Sequence, residues 1–356
     1  MTSESRAAPR GPVPVGVLRG FAVDVLTALG APPATAGAVA ESLAESDARG
    51  LGSHGVRRLV PYAQFVDIGR IDPRATPVVE RSSDALVTVD GRRGFGQLGA
   101  RLATVEVVDR ADSSGVAAAT VRRCNHIGRL GEYVETMAAA GKVGIALCNA
   151  DATVAPFGGR DRLLGTNPVA LAVPGGEGAA PLVIDWATAA TAEGKLAVAR
   201  ARGEQAPPGA VLDPAGAPTT DPAAFYAGGA LLPFGGHKGY GLSVFVEIVG
   251  GLLGGSGISS LPGFDETNGT LLIALDVEAL MPLETFRQQV EAFRDVLHGS
   301  APAQDSSGVL VPGEPEARAR AASLRDGVEV PEGTAAELAE LGARLGLDLP
   351  PELLPS

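Results

Sequence analysis

Three of the four histidines in this 356-residue chain sit in short glycine-bearing motifs: Gly52-Ser53-His54-Gly55, Asn125-His126-Ile127-Gly128 and Gly235-Gly236-His237-Lys238-Gly239-Tyr240-Gly241. Imidazole is the side chain whose ordinary pKa lies nearest neutrality, so such placements point to proton transfer. His298 has no such motif around it. His54, Arg58 and Tyr62 recur at every fourth residue, so a helix running from Ser53 would set imidazole, guanidinium and phenol along one stripe. That stripe suits a small 2-hydroxy or 2-oxo acid: Arg58 holds the carboxylate bidentately while His54 exchanges a proton with the neighbouring oxygen. The plainer alternative is a solvated Arg57, Arg58 face with His54 as a cap beside a glycine.

The second motif, Asn125-His126-x-Gly128-x-x-Gly131, follows an expected strand and precedes a helix, where α/β proteins gather ligand groups. A structural histidine satisfied by a backbone carbonyl fits the spacing equally well. In the third, glycines and Lys238 crowd the start of an apolar helix, which makes either a phosphate cradle or a tight structural turn. The Walker pattern is absent, so nucleoside triphosphate hydrolysis is not indicated. Gly94-Phe95-Gly96-Gln97-Leu98-Gly99 matches the dinucleotide fingerprint, but Gly91-Arg92-Arg93 intervenes where that fingerprint needs a tight turn. The following strand ends in Arg122-Arg123 rather than in an acid for a ribose, and the match is read as a decoy.

The balance of the chain narrows its partners. Lys plus Arg number 29 against 41 Asp plus Glu, a net charge of -12 that repels nucleic acid and anionic membrane surfaces. The two cysteines, Cys124 and Cys148, form no Cys-x-x-Cys pair, and no His-x-x-x-His occurs, so neither a disulfide framework nor a metal site is expected. No apolar run resembles a signal peptide or a membrane span, so a soluble, cytoplasmic protein is expected.

The elements that must position these residues follow from periodicity. Helices are expected over Val17 to Leu29, Thr35 to about Ala48, and from Ser53 onward with a bend near Pro61. Short apolar runs bounded by Gly, Asp or Pro then read as buried strands: Ala85 to Asp90, Val116 to Val121, Val143 to Cys148, Ala170 to Val173 and Leu182 to Ile184. Helices are expected between them at Gln97 to Ser113 and Gly131 to Ala140. Arg202 to Pro222 reads as a long surface loop, and Gly239 to Leu253 as a glycine-rich helix. A strand at Leu271 to Asp276 and helices at Leu283 to Leu297, up to Asp326, and from Thr334 to Leu345 complete an α/β pattern.

With those motifs in view, the chain resembles the malate/L-lactate dehydrogenase family distinct from the Rossmann lactate and malate dehydrogenases. The marks are DARGLGSHGVRRLVPY (Asp47 to Tyr62), NHIGRLGEY (Asn125 to Tyr133), LLGTNP (Leu163 to Pro168), DWAT followed by EGK (Asp185 to Thr188, Glu193 to Lys195), PTTDP (Pro218 to Pro222) and GGALLPFGGHKGYGLS (Gly228 to Ser243). The likeness runs from about Val15 to Leu347.

It implies a non-Rossmann mixed sheet that binds NAD or NADP, a homodimer, and hydride exchange with a small 2-hydroxy or 2-oxo acid. The proton donor or acceptor falls on His54, with Ser53 and Arg58 nearby and Asp185 as the acidic partner. Arg58, Tyr62 and His126 would contact substrate. His126, Gly165, Thr166, Asn167, Gly236, His237, Lys238 and Gly239 would line the nicotinamide and phosphate regions. The domain layout expected is a disordered 1–14, a helical 15–75 packing with 308–356, and a mixed α/β domain over 76–307. Where many relatives have a hydroxyl residue after DMAT, this chain has DWAT-Ala189-Ala190, Glu193 replaces a frequent Arg, and Trp186, its one tryptophan, is expected to fill core. The alternative within the family is reduction of cyclic imino acids of the Δ1-piperideine-2-carboxylate type, with His54 protonating the product.

Overall fold

Apolar residues at helical spacing build the first of the two units into which the chain divides, Met1–Arg74 with Pro315–Ser356. The computed structural model describes residues 11–264 and 266–354, so residues 1–10 of the stretch expected to be disordered lie outside the described residues. Val13, from the same stretch, is buried and exchanges backbone hydrogen bonds of 2.8 Å with Val328. Leu18, Phe21, Ala22, Val25 and Leu26 form the buried stripe of helix Val15–Ala28, and Val39, Ala40 and Leu43 that of helix Pro33–Ala48. Pro33 opens the second helix where its missing N–H costs nothing. Helices Glu314–Asp326 and Glu332–Leu345 bring in the C-terminal segment, tied by ion pairs Arg57–Glu337 (3.1 Å), Arg320–Glu45 and Arg344–Asp67 (both 2.5 Å).

The third helix departs from the expected run. Two 3₁₀ turns, Gly52–His54 and Val56–Arg58, flank Gly55 in extended conformation, and the α-helix begins only at Leu59 and runs to Asp67. Pro61 therefore sits in its first turn and bends nothing.

The second unit, Ala75–Glu314, is a seven-stranded mixed sheet with helices on both faces. Its strands are β1 (Val78–Ser82), β2 (Leu86–Asp90), β3 (Val116–Cys124), β4 (Lys142–Cys148), β5 (Val169–Val173) and β6 (Leu182–Trp186). A small sheet of β7 (Val211–Leu212), β8 (Pro218–Thr219) and β9 (Ala230–Leu231) replaces part of the expected surface loop, and β10 (Asn268–Asp276) returns to the large sheet. The order β1-β2-β3-β10-β4-β5-β6, with only β2 and β3 parallel, is the non-Rossmann mixed sheet that the resemblance implies. Sequence reasoning misses β1 because four of its five residues are exposed and it offers no buried apolar run.

Period-two alternation sorts the side chains of the sheet. Ala117, Ala119, Val121, Ala146, Ala170 and Ala274 face helices Gly96–Ser114 and Gly131–Ala139 in the main core. Ala118, Ile145, Leu147, Leu171 and Ile273 face the other way, onto Val246 and Val249. The glycine-rich helix runs over His237–Val246 and then widens into a π-type turn at Glu247–Leu252.

Candidate functional site

The turn that carries His54 is held mostly from its own neighbourhood. Ser53 Oγ lies within hydrogen-bond distance, 2.9 Å, of His54 Nδ1, and Arg58 Nε donates to the Ser53 carbonyl at 2.8 Å. Because Gly55 is extended, His54 leaves the helical stripe on which Arg58 and Tyr62 were expected to align with it. Arg58 returns to the histidine through that carbonyl contact instead. Ser53, His54 and Arg58 are half-buried, whereas Tyr62 is buried. Asp47, at the end of the preceding helix, accepts from the Val56 N–H at 2.7 Å. Burial pushes its carboxyl up to about 7 against the lowering effect of that hydrogen bond.

In the second unit, hydrogen bonds to and between backbone groups link four of the sequence motifs into one assembly. Asp185, on the edge strand β6, accepts from the Gly131 N–H at 2.7 Å, which fixes it against the loop that carries His126. A Cβ on Gly131 would stand 2.5 Å from Arg129 Nη1 and 3.0 Å from Asp185 Oδ2, so a side chain there would displace the ends of both charged groups. Buried Arg129 forms a bidentate pair with Glu135 at 2.9 and 2.7 Å. Burial opposes its charge, but the Glu135 bonds and the charges of Glu135, Asp185 and Glu132 prevail and hold its pKa above the usual value. Beyond β6, Thr188 donates to the Thr166 carbonyl from both N (2.8 Å) and Oγ1 (3.0 Å), and its own carbonyl accepts from Phe234 N at 2.9 Å. NHIGRLG, LGTNP, DWAT and PFGGHKG thus meet at one end of the sheet.

His126 is half-buried, and its Nδ1 accepts from the Gly128 N–H at 3.3 Å. Gly235 and Gly236 take φ 58 and 62, which aims the start of helix His237–Val246, with His237 and Lys238 exposed on it. A Cβ on Gly239 would lie 2.0 Å from the Phe234 carbonyl. Asn167 is fully buried, at φ 39, and its amide is spent internally on the Ser243 carbonyl (3.1 Å), Ser243 Oγ (2.9 Å) and Glu247 Oε1 (3.0 Å).

Glu247 and Asn149 were not foreseen. Glu247 also accepts from the Gly165 N–H at 2.8 Å and from Asn149 Nδ2 at 3.2 Å. The available signal was an acid inside the otherwise apolar run Val244 to Leu253. The fingerprint decoy has a packing role: a Cβ on Gly96 would fall 2.0 Å from the Asn125 carbonyl and 2.5 Å from that of His126. Trp186 does not fill core; it is 44% exposed and meets Phe234 edge to face, with centroids 6.3 Å apart. Burial pushes the Cys148 thiol up to about 12 and that of Cys124 higher still, so neither is a thiolate nucleophile. Four arginines that could have met a coenzyme phosphate have internal bonds: Arg122 to Glu80, Arg123 to Asp90, Arg162 to the Gly229 and Phe225 carbonyls, and Arg160 to the Ala215 carbonyl. No helix among the described residues is long and apolar enough to cross a membrane.

The family model for malate/L-lactate dehydrogenase matches residues 13–339. The L-lactate dehydrogenase of Cupriavidus necator is 39% identical over 311 residues, 85% of this chain and 89% of the relative. The Delta(1)-pyrroline-2-carboxylate reductase of Ancylobacter novellus is 37% identical over 328 residues, 90% of this chain and 94% of the relative. The solved sulfolactate dehydrogenase of Methanocaldococcus jannaschii superposes with a TM-score of 0.86 at 32% identity, covering 95% of this chain and 98% of that one. On a match of that extent in both sequence and fold, the chain belongs to the malate/L-lactate dehydrogenase family and is an oxidoreductase.

Proposed function

We propose that the chain moves a hydride between NAD(P) and C2 of a small 2-hydroxy or 2-oxo acid, with His54 as proton donor and acceptor. The observation that carries this reading is the half-buried Ser53, His54, Arg58 cluster, in which Nδ1 is engaged by Ser53 and Arg58 is anchored on the same turn. His54 Nε2 takes the hydroxyl proton in oxidation and returns it in reduction. The Nη groups of Arg58 hold the substrate carboxylate, while Tyr62, expected as a further contact, is buried. Asp185, fixed at the Gly131 amide, is the acidic residue of the catalytic set.

The residues at the second motif cluster fit a phosphate-bearing coenzyme. Exposed Lys238 and the N–H groups at the start of helix His237–Val246 present positive charge. Gly236 keeps that start open and Gly239 lets it pack on the Phe234 carbonyl, and Gly165 and Thr166 with His126 form the nicotinamide side, braced from within by Asn167. A nicotinamide coenzyme, when bound, supplies the hydride donor or acceptor.

A second reading, reduction of cyclic imino acids with His54 as proton donor, is supported by the likeness to the pyrroline-2-carboxylate reductase. We assign a homodimer as well, supported by the exposed apolar side chains of Phe245, Ile248, Leu252 and Leu253.

The test is oxidation of NADH and of NADPH with a panel of 2-oxo acids and cyclic imines, with wild type beside His54→Asn. The expected result is turnover on one class, lowered roughly 10²–10⁴-fold in the variant, while coenzyme affinity stays within several-fold. A fully active variant overturns the role of His54.

A further inference from the structure

We propose that Asp47 is a positioning residue for His54: its carboxylate fixes the Gly52–Val56 turn that carries the imidazole. The inference rests on the proton-transfer role given to His54 above.

The turn has few bonds of its own. His54 N donates to the Leu51 carbonyl at 2.8 Å and Gly55 N to the Gly52 carbonyl at 3.2 Å. Gly55 then goes extended, at φ -85 and ψ -158, so the chain leaves one 3₁₀ turn before it enters the next. The first N–H after that break, Val56 N–H, goes to Asp47 Oδ2 at 2.7 Å. The carboxylate also fills the inside of the turn. A Cβ on Gly55 would fall 1.8 Å from Asp47 Oδ1 and 2.1 Å from its Cγ, and one on Gly52 would lie 3.6 Å from Oδ1.

Asp47 therefore meets the chain on both sides of His54 in sequence. Its other end is anchored: it closes helix Pro33–Ala48, its carbonyl accepts from Gly50 N at 2.9 Å, and the neighbouring Ser46 carbonyl accepts from Leu51 N at 2.9 Å. The rigid end of a buried helix is thus coupled through one carboxylate to the backbone that aims the imidazole. Gly55 is glycine because the carboxylate occupies the space a side chain would need. Asp47 acts on the backbone of the turn, and so it is a positioning residue rather than a catalytic one.

Four full-length variants test this: Asp47→Ala, Asp47→Asn, Gly55→Ala and the double variant Asp47→Ala/Gly55→Ala. Asp47→Ala is expected to lower kcat about 10- to 100-fold, the scale of a small misplacement of a reacting group, with coenzyme affinity unchanged. Asp47→Asn, whose side-chain oxygen still accepts from Val56, recovers to within a few-fold. Gly55→Ala matches the Asp47→Ala loss because its methyl displaces the carboxylate, and the double variant is no worse than either single one.

The second readout is the His54 imidazole signal in heteronuclear NMR, identified by its absence in His54→Asn. It shifts in Asp47→Ala and Gly55→Ala and returns in Asp47→Asn. Should Asp47→Ala fail to fold, Asp47→Asn and Gly55→Ala carry the comparison. Wild-type kcat with an unmoved His54 signal, or losses that add in the double variant, overturns the inference. Turnover that survives in His54→Asn overturns the proton-transfer role instead, and the imidazole signal still decides whether Asp47 holds the turn.

Discussion

Each unit of the molecule braces a glycine-bearing motif with one buried carboxylate, and the two braces are built differently. Asp47 sits against Gly55 and receives one N–H, from Val56. Glu247 receives three, from Gly165, Asn167 and Asn149, spread over both of its oxygens. In both cases the braced glycine has no room for a Cβ; at Gly165 it would lie 2.4 Å from the Ala150 carbonyl and from Asn167 Oδ1. Burying a carboxylate costs several kcal/mol unless donors replace its water. With a single donor at Asp47, desolvation prevails and raises the carboxyl to about 7. The contrast teaches that a brace of one bond can respond to pH near neutrality, while a brace of three is a knot whose loss withdraws an acceptor from three partners at once.

The largest effect is therefore expected at Glu247→Ala. It leaves the buried Gly165 N–H without its acceptor, at about 1–3 kcal/mol, and withdraws one acceptor from each of the Asn167 and Asn149 amides, which keep Ser243 and the Gly257 carbonyl. Chemical denaturation should show this as the greatest stability loss among the variants, together with weakened coenzyme binding. An Asp47→Ala loss of equal size would break the comparison.

Next comes the pH dependence of Asp47. Its folded carboxyl titrates near 7 against an ordinary value of 3.8, so the folded state holds the proton longer than the unfolded one. The stability it contributes is complete below 3.8 and is lost as pH rises to about 7. At about 1.4 kcal/mol per pH unit, the loss is at most roughly 4 kcal/mol. Asp47→Asn removes this titration, so its stability relative to wild type should climb between those limits and level off above them; a flat difference would sink the assignment.

Smaller still is Lys238→Ala, expected to raise the coenzyme dissociation constant by about tenfold, the equivalent of one lost charge-assisted contact, with kcat held. A fall in kcat at normal affinity would move Lys238 from coenzyme binding to the reaction itself. Trp186→Leu should cost least, about 0.5–1.5 kcal/mol for the aromatic pair, because the indole is already 44% exposed. A larger loss by thermal denaturation would restore it to a structural role.

The fold was largely legible in sequence because burial imposes a period. Leu18, Phe21, Ala22, Val25 and Leu26 could only be a helix, and the alternation through Ala117 to Val121 only a strand with two covered faces. The exposed edge strand β1 escaped for the converse reason. At the site, motif membership named His54, Asp185, Gly165 and Lys238, but it did not reveal which side chains brace others. Asp47 lay inside a quoted motif and Glu247 inside a helix, and neither spacing says that the carboxylate reaches a distant N–H.

What the sequence determined by itself is the set of residue types and their order along the chain: the family motifs, the α/β pattern and the acidic balance. These are local or compositional, and local sterics and solvation write them directly into sequence. Only the tertiary structure decided that His54 leaves the stripe of Arg58 and Tyr62, that Gly96 serves helix packing rather than a dinucleotide, and that Asn167 turns inward. Each of those outcomes depends on atoms brought in from another element, the Asp47 carboxylate at Gly55, the Asn125 and His126 carbonyls at Gly96, and Ser243 with Glu247 at Asn167, which residue spacing does not record.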